Sequence, residues 1–174
     1  MIYYHLFKVD RVIGKKILFY WCFGSTVYYE GKLQQYFMFQ SEIYGVIDGK
    51  LLVANDSFSG SSGNHDYYKS SLYEWVSPLT IEFDVVSITN PQYMRFRIFE
   101  QDGIPAWVRN FDELNVTGAC HIKINITETG SEWFVDDVSK YAPTGTVENP
   151  LRIGFAISGG STSIELENFV IYPI

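Results

Sequence analysis

Arginine and tryptophan recur at strand spacing in one stretch of the chain, as Arg95 and Arg97, then Trp107 and Arg109. Residues two apart on a strand point to the same side, and Asp102-Gly103 between the two pairs is a turn signal. A hairpin folded there would set Arg95 and Arg97 beside Trp107 and Arg109 as a basic, aromatic patch. Aromatic faces stack on sugar rings, and guanidinium groups bond their hydroxyls. Tyr67, Tyr68, Tyr73 and Trp75, which follow the Ser/Gly-rich loop 57–64, offer the same chemistry. Core packing is the competing role for each aromatic. The ligand-binding residues expected from sequence are Arg95, Arg97, Trp107, Arg109, Tyr67, Tyr68 and Trp75, with no catalytic residue among them.

Other reactive side chains are sparse. Glu82 and Asp84 place two carboxylates on one face of an alternating stretch, where the solvated half of a strand is the plainer reading. The histidines are His5, His65 and His121, and no Gly-x-Ser-x-Gly elbow surrounds any serine, so a serine triad is not expected. His121 begins a strand on its polar face, an exposed or capping position. His65 lies between Asn64 and Asp66 in a loop, where a histidine titrates near pH ~6.5. Asp112-Glu113 and Asp136-Asp137 are candidate calcium ligands, but EF-hand spacing is absent. They read as turn acids, and no cofactor or metal is expected. Cys22 and Cys120 form no CxxC motif and read as free, buried thiols, with a bridge between them as the alternative.

The elements that must position these residues have a period of two. Leu79, Ile81, Phe83 and Val85 alternate with Thr80, Glu82 and Asp84; Met94, Phe96 and Ile98 with Arg95 and Arg97; Ile122, Ile124 and Ile126 with His121, Lys123 and Asn125. Leu151, Ile153, Phe155 and Ile157 repeat the pattern. Such runs are half-buried antiparallel strands. Asp48-Gly49 fits a two-residue type I′ hairpin, and Gly159-Gly160 a hairpin into the last strand. That strand changes phase at Asn168, where one inserted residue, a β-bulge, restores the alternation. The stretches 112–114 and 136–141 could each hold one helical turn. The chain reads as an all-β antiparallel sandwich.

The 174 residues suit one domain, and hydrophobic residues at 47% against charged residues at 19% exclude a disordered tail. Residues 1–50 carry six basic and four acidic side chains, net +2, while 51–174 carry seven and sixteen, net −9. An acidic body repels phosphate backbones, so no nucleic-acid partner is expected. No apolar run is long enough for a membrane span, and His5, Lys8, Asp10 and Arg11 interrupt any signal-peptide core. Residues 1–33 are aromatic-rich and poorly alternating. They read as an N-terminal extension that forms strands or a homo-oligomer contact, preceding a sandwich over 34–174.

From Gln34 onward the chain resembles the concanavalin A-like (laminin G-type) β-sandwich or jelly-roll superfamily. The carriers are LTIEFDV (79–85), HIKINIT (121–127) followed by WFVDD (133–137), and the ending RIGFAISGGSTSIELENFVIYPI (152–174). Members occur as lectin-like carbohydrate-binding modules, adhesins, and phage or viral tail proteins. The resemblance implies recognition of a surface glycan or polysaccharide, at a virion or cell surface. A self-assembling virion or tail protein is the alternative. Laminarinase- and lichenase-type enzymes share the fold and carry their acids on one strand as Glu-x-Asp-x-Glu or Glu-x-Asp-x-x-Glu. Glu82 and Asp84 match the first two positions, but the third is Val86 or Ser87. A retaining mechanism needs both a nucleophile and an acid, so the expectation is a glycan-binding protein that is not an enzyme.

Overall fold

Alternation decides which side chains turn inward, and the computed structural model has the strands that it implies. The structure describes residues 19–21, 27–29, 32–34, 44–47, 50–55, 67–70, 74–100, 105–159 and 161–174. These form β1 (Phe19–Trp21), β2 (Val27–Tyr29), β3 (Lys32–Gln34), β4 (Tyr44–Ile47), β5 (Lys50–Asn55), β6 (Tyr67–Ser70) and β7 (Leu79–Thr89). After a 3-10 turn at Pro91–Tyr93 come β8 (Met94–Phe99), β9 (Pro105–Asn110), β10 (Cys120–Thr127) and β11 (Gly130–Val135). β12 (Val138–Tyr141), β13 (Arg152–Ile157) and β14 (Thr162–Pro173) complete the set.

The large sheet runs β12-β11-β10-β7-β14-β5-β4, with β1 also beside β14; the small sheet runs β6-β13-β8-β9. Every pairing is antiparallel, and β2 pairs with β3 apart from both sheets. β1 lies within residues 1–33 and joins the large sheet through Tyr20 opposite Val170.

The core fills the space between the two sheets. Leu79, Ile81, Phe83 and Val85 of β7 are buried together with Ile122, Ile124 and Ile126 of β10 and Trp133 of β11. Met94, Phe96, Ile98, Ile153, Phe155 and Ile157 meet them from the small sheet. Phe83 ties the layers: its ring stacks on Phe169 at 5.2 Å and lies 5.5 Å from Phe96 and 6.1 Å from Phe155. Each such ring contributes ~1.5–3 kcal/mol by leaving water.

The turns show where local chemistry sufficed. Ile47 opposite Lys50 leaves Asp48-Gly49 as the two-residue loop expected. Asn168 (φ 53°) is the left-handed residue of a bulge that separates Glu167 opposite Asp84 from Val170 opposite Glu82. Two readings change. The strands on either side of Gly159 form no hairpin within one sheet, since β13 belongs to the small sheet and β14 to the large one; Gly160 lies outside the described residues. Residues 136–141 hold no helical turn, because Asp136 (φ 49°) and Asp137 (φ 64°) form the two-residue loop between Val135 and its partner Val138.

Candidate functional site

The outer face of the large sheet collects the polar halves of β7, β10 and β14. Register lines them up in rows: Asp84 opposite His121, Glu82 opposite Lys123, Thr80 opposite Asn125. β11 continues the rows, with Phe134 beside Lys123 and Glu132 beside Asn125. β14 closes the other side, with Tyr172 opposite Thr80.

Burial gives this face its chemistry. Glu82 is 6% exposed although it points away from the hydrophobic core. A carboxylate out of water needs donors, and the Tyr172 hydroxyl donates to Glu82 Oε1 at 2.5 Å. Burial, and then this bond, push the Tyr172 hydroxyl well above the usual tyrosine range.

Asp84 is half-buried and is held on both oxygens. His121 Nδ1 lies 2.6 Å from Oδ1, and Asn168 Nδ2 donates to Oδ2 at 2.7 Å. The bulge therefore does more than restore alternation, since it delivers the side chain that orients Asp84. His121 Nε2 faces Glu82 Oε2 at 3.9 Å, beyond hydrogen-bond reach. The backbone of His121 is pinned from the β11–β12 turn: its N–H donates to Asp136 Oδ1, and its carbonyl accepts from the Asp136 N–H, both at 2.9 Å.

Next to His121, the Cys120 thiol is pushed up to about 11, by burial first and then by the Asp136 and Asp84 charges. Cys120 is a free thiol; Cys22 lies outside the described residues.

Three side chains that the sequence reading set aside thus form the most developed polar group on the sheet. Glu82 and Asp84 are not the freely solvated half of a strand, and the side chain of His121 is only 12% exposed. The third carboxylate position is also settled. A second register shift leaves Leu166 opposite Val85 and Glu165 opposite Ser87, so Val86 is the extra residue. Ser87 shares the face of Glu82 and Asp84.

The residues expected to bind ligand all belong to, or adjoin, the small sheet. Arg95, half-buried, donates through Nε to Asn110 Oδ1 at 2.8 Å, and Arg97 is buried on the same side. Trp107 and Arg109 are on the opposite side, because Trp107 pairs with Ile98 and Arg109 with Phe96. Arg95 and Arg97 stand opposite Asn110 and Val108, so the even-numbered residues of β9, not Trp107 and Arg109, share their side. The four residues therefore do not share one face. Trp107 enters the core, and Arg109 lies 3.6 Å over the Tyr141 ring and 3.7 Å from Glu113. Trp75 is buried and bridges Leu151, while Tyr67 and Tyr68 sit on β6 opposite Ile157 and Ala156. Tyr73 and His65 lie outside the described residues.

Of the turn acids considered for calcium, Asp136 holds the His121 backbone and Glu113 pairs with Arg109. Among the described residues no three His, Cys, Asp or Glu side chains converge on a cation position. Among the described residues, no helix is long and apolar enough to cross a membrane.

No family model matches the chain, and no curated protein sequence matches it. Solved structures do. A β-glucanase of Bacillus licheniformis superposes with a TM-score of 0.54 at 12% identity, covering 90% of this chain and 97% of its own. The laminarinase catalytic domain of Thermotoga maritima gives 0.54 at 10% identity, covering 78% and 82%. An endo-acting O-glycanase of the human gut microbiota gives 0.51 at 11%, covering 75% and 82%.

These similarities correct one expectation. The missing third carboxylate led to the expectation of no enzyme, and that expectation is overturned by similar structures that are a β-glucanase, a laminarinase and an O-glycanase. The fold itself is the one the resemblance implied, a concanavalin A-like β-sandwich of the kind found in glucanases.

Proposed function

We propose that the chain acts on a polysaccharide laid across the outer face of the large sheet, with Glu82 as the carboxylate that meets the anomeric carbon. The supporting observation is the buried Glu82, oriented by Tyr172 and flanked on its own strand by an Asp84 that His121 and Asn168 hold in place. Glycoside hydrolysis needs a fixed carboxylate on one side of the scissile bond and a proton carrier on the other. Lys123 and half-buried Phe134 continue the Glu82 row across the neighbouring strands, and Asn125 stands in the next row. They offer the donors and the ring face that a sugar chain crossing the strands requires. A β-glucan is the first polymer to test, since the similar structures include a β-glucanase and a laminarinase.

A second reading, glycan recognition within a surface, phage or viral assembly, is favoured by Ser87 at the third carboxylate position. Arg95 and Tyr68, which share a row on the small sheet through Ala156, are proposed as a further glycan contact. The experiment measures binding and reducing-end release together on laminarin and lichenin, for the natural chain and for Glu82→Gln. Release lost in the variant with binding kept supports hydrolysis at Glu82. Binding with no release by either protein supports recognition, and neither binding nor release removes both readings.

A further inference from the structure

Ser87 leaves the site one proton carrier short, and a different group on the same face is built to carry protons. His121 comes from β10 rather than from the strand that bears the acids, and it is fixed from several directions. Asp84 takes Nδ1 at 2.6 Å, and Asp136 holds the backbone N–H and carbonyl. An ionised carboxylate at Nδ1 requires the proton on that nitrogen, so the second nitrogen is the one that exchanges protons. That nitrogen, Nε2, has no hydrogen-bond partner among the described residues and faces Glu82 Oε2 across 3.9 Å. Asn168 occupies the other Asp84 oxygen and keeps the aspartate from turning away.

The charged and titratable groups facing His121 are Glu82 and Asp84 from β7, Asp136 from the β11–β12 turn, and Lys123 on its own strand. Glu82 carries its own donor in Tyr172 and does not need the imidazole as a partner. Together these leave a held ring with one open nitrogen beside a buried carboxylate.

We propose that His121 is the proton donor and acceptor of this site, in the role of the carboxylate that Ser87 replaces. The proposal rests on the reading of Glu82 as the residue that meets the anomeric carbon. In the first step the imidazolium Nε2–H gives its proton to the glycosidic oxygen as the bond from that oxygen to the anomeric carbon breaks. A Glu82 oxygen bonds to the anomeric carbon, and the departing chain leaves as an alcohol. In the second step neutral Nε2 takes a proton from water. The water oxygen bonds to the anomeric carbon, and the bond to Glu82 breaks. Imidazolium and carboxylate are restored, and water is the sole co-reactant.

The test uses the full chain and two substrates, laminarin and a dinitrophenyl β-glucan oligosaccharide, whose leaving group needs no proton. His121→Gln should lose roughly 10²-fold or more on laminarin, the usual weight of a positioned acid. It should keep the first, dinitrophenolate-releasing step near the natural rate. An equal loss on both substrates, or no loss on either, overturns the proposal while leaving Glu82 in place. No turnover by the natural chain overturns the Glu82 reading and this one with it. If His121→Gln does not fold, nitrogen NMR of the natural protein decides. Added laminari-oligosaccharide should move the Nε2 resonance and leave Nδ1 in place, and an unmoved Nε2 overturns the proposal.

Discussion

Glu165 lies directly opposite Ser87, one residue past the bulge at Val86, and this pairing carries Ser87 onto the face that holds Glu82 and Asp84. Without the bulge Val86 would stand there and Ser87 would turn inward, because strand alternation has a period of two.

A carboxylate returned to the third position should therefore work only at Ser87. Ser87→Glu is expected to raise turnover of a β-glucan polymer and to restore it in a His121→Gln background, by roughly 10²-fold for a well-placed acid. Val86→Glu, on the extra residue of the bulge, should do neither. Reducing-end assays on these four variants beside the natural chain and His121→Gln check this, and equal effects from Val86→Glu and Ser87→Glu would show that the facing is misassigned.

Asn168 links backbone and site. Its left-handed conformation suits Asn or Gly, and other residues pay ~1–2 kcal/mol there. Asn168→Gly should keep the bulge but release Asp84, lowering activity with little loss of stability. Asn168→Val should lose both. Urea midpoints measured beside activity separate the two effects.

The alternation of 79–85 and 122–126, the Asp48-Gly49 turn and the phase break at Asn168 each state a local rule, and each is legible in the sequence. Which strand lies beside which is not local. Nothing in residues 79–127 says that His121 will stand opposite Asp84, because that register follows from the packing of β10 on β7. The Trp107 side was misjudged for a related reason. A two-residue turn at Asp102-Gly103 would itself set Trp107 opposite Ile98, the pairing found, so same-face spacing on each strand did not show which faces meet across the hairpin. Glu82 looked solvated because alternation reports direction, not what covers a face.

Phe83 is the ring that both sheets share, so its loss is felt across the sandwich. Phe83→Ala should cost about 3–5 kcal/mol, the transfer term plus an unfilled cavity, with Phe83→Leu much milder. Denaturant unfolding checks the difference. Arg95→Ala, which removes the bond to Asn110 on the outer side of the small sheet, should lower the midpoint less than Phe83→Ala.

Cys120 gives the fold an alkaline signature. Its thiol titrates at about 11 instead of 9.0, because burial, and then the Asp136 and Asp84 charges, disfavour the thiolate. Below the unfolded value the thiol is neutral in both states, and stability does not depend on it. Above that value the unfolded chain releases the proton while the folded one retains it, so stability falls as pH rises from 9.0 to about 11. Tyr172, also raised, adds a fall of the same sign at higher pH. In a Cys22→Ala background, Cys120→Ala should therefore flatten the first part of the decline and leave the later part intact. Iodoacetamide labelling of Cys120 in the folded protein should still be accelerating where a free thiol has reached its plateau. Asp136→Asn should shift that acceleration to lower pH, and labelling that levels off near the ordinary thiol range would contradict the placement of Cys120 beside these carboxylates.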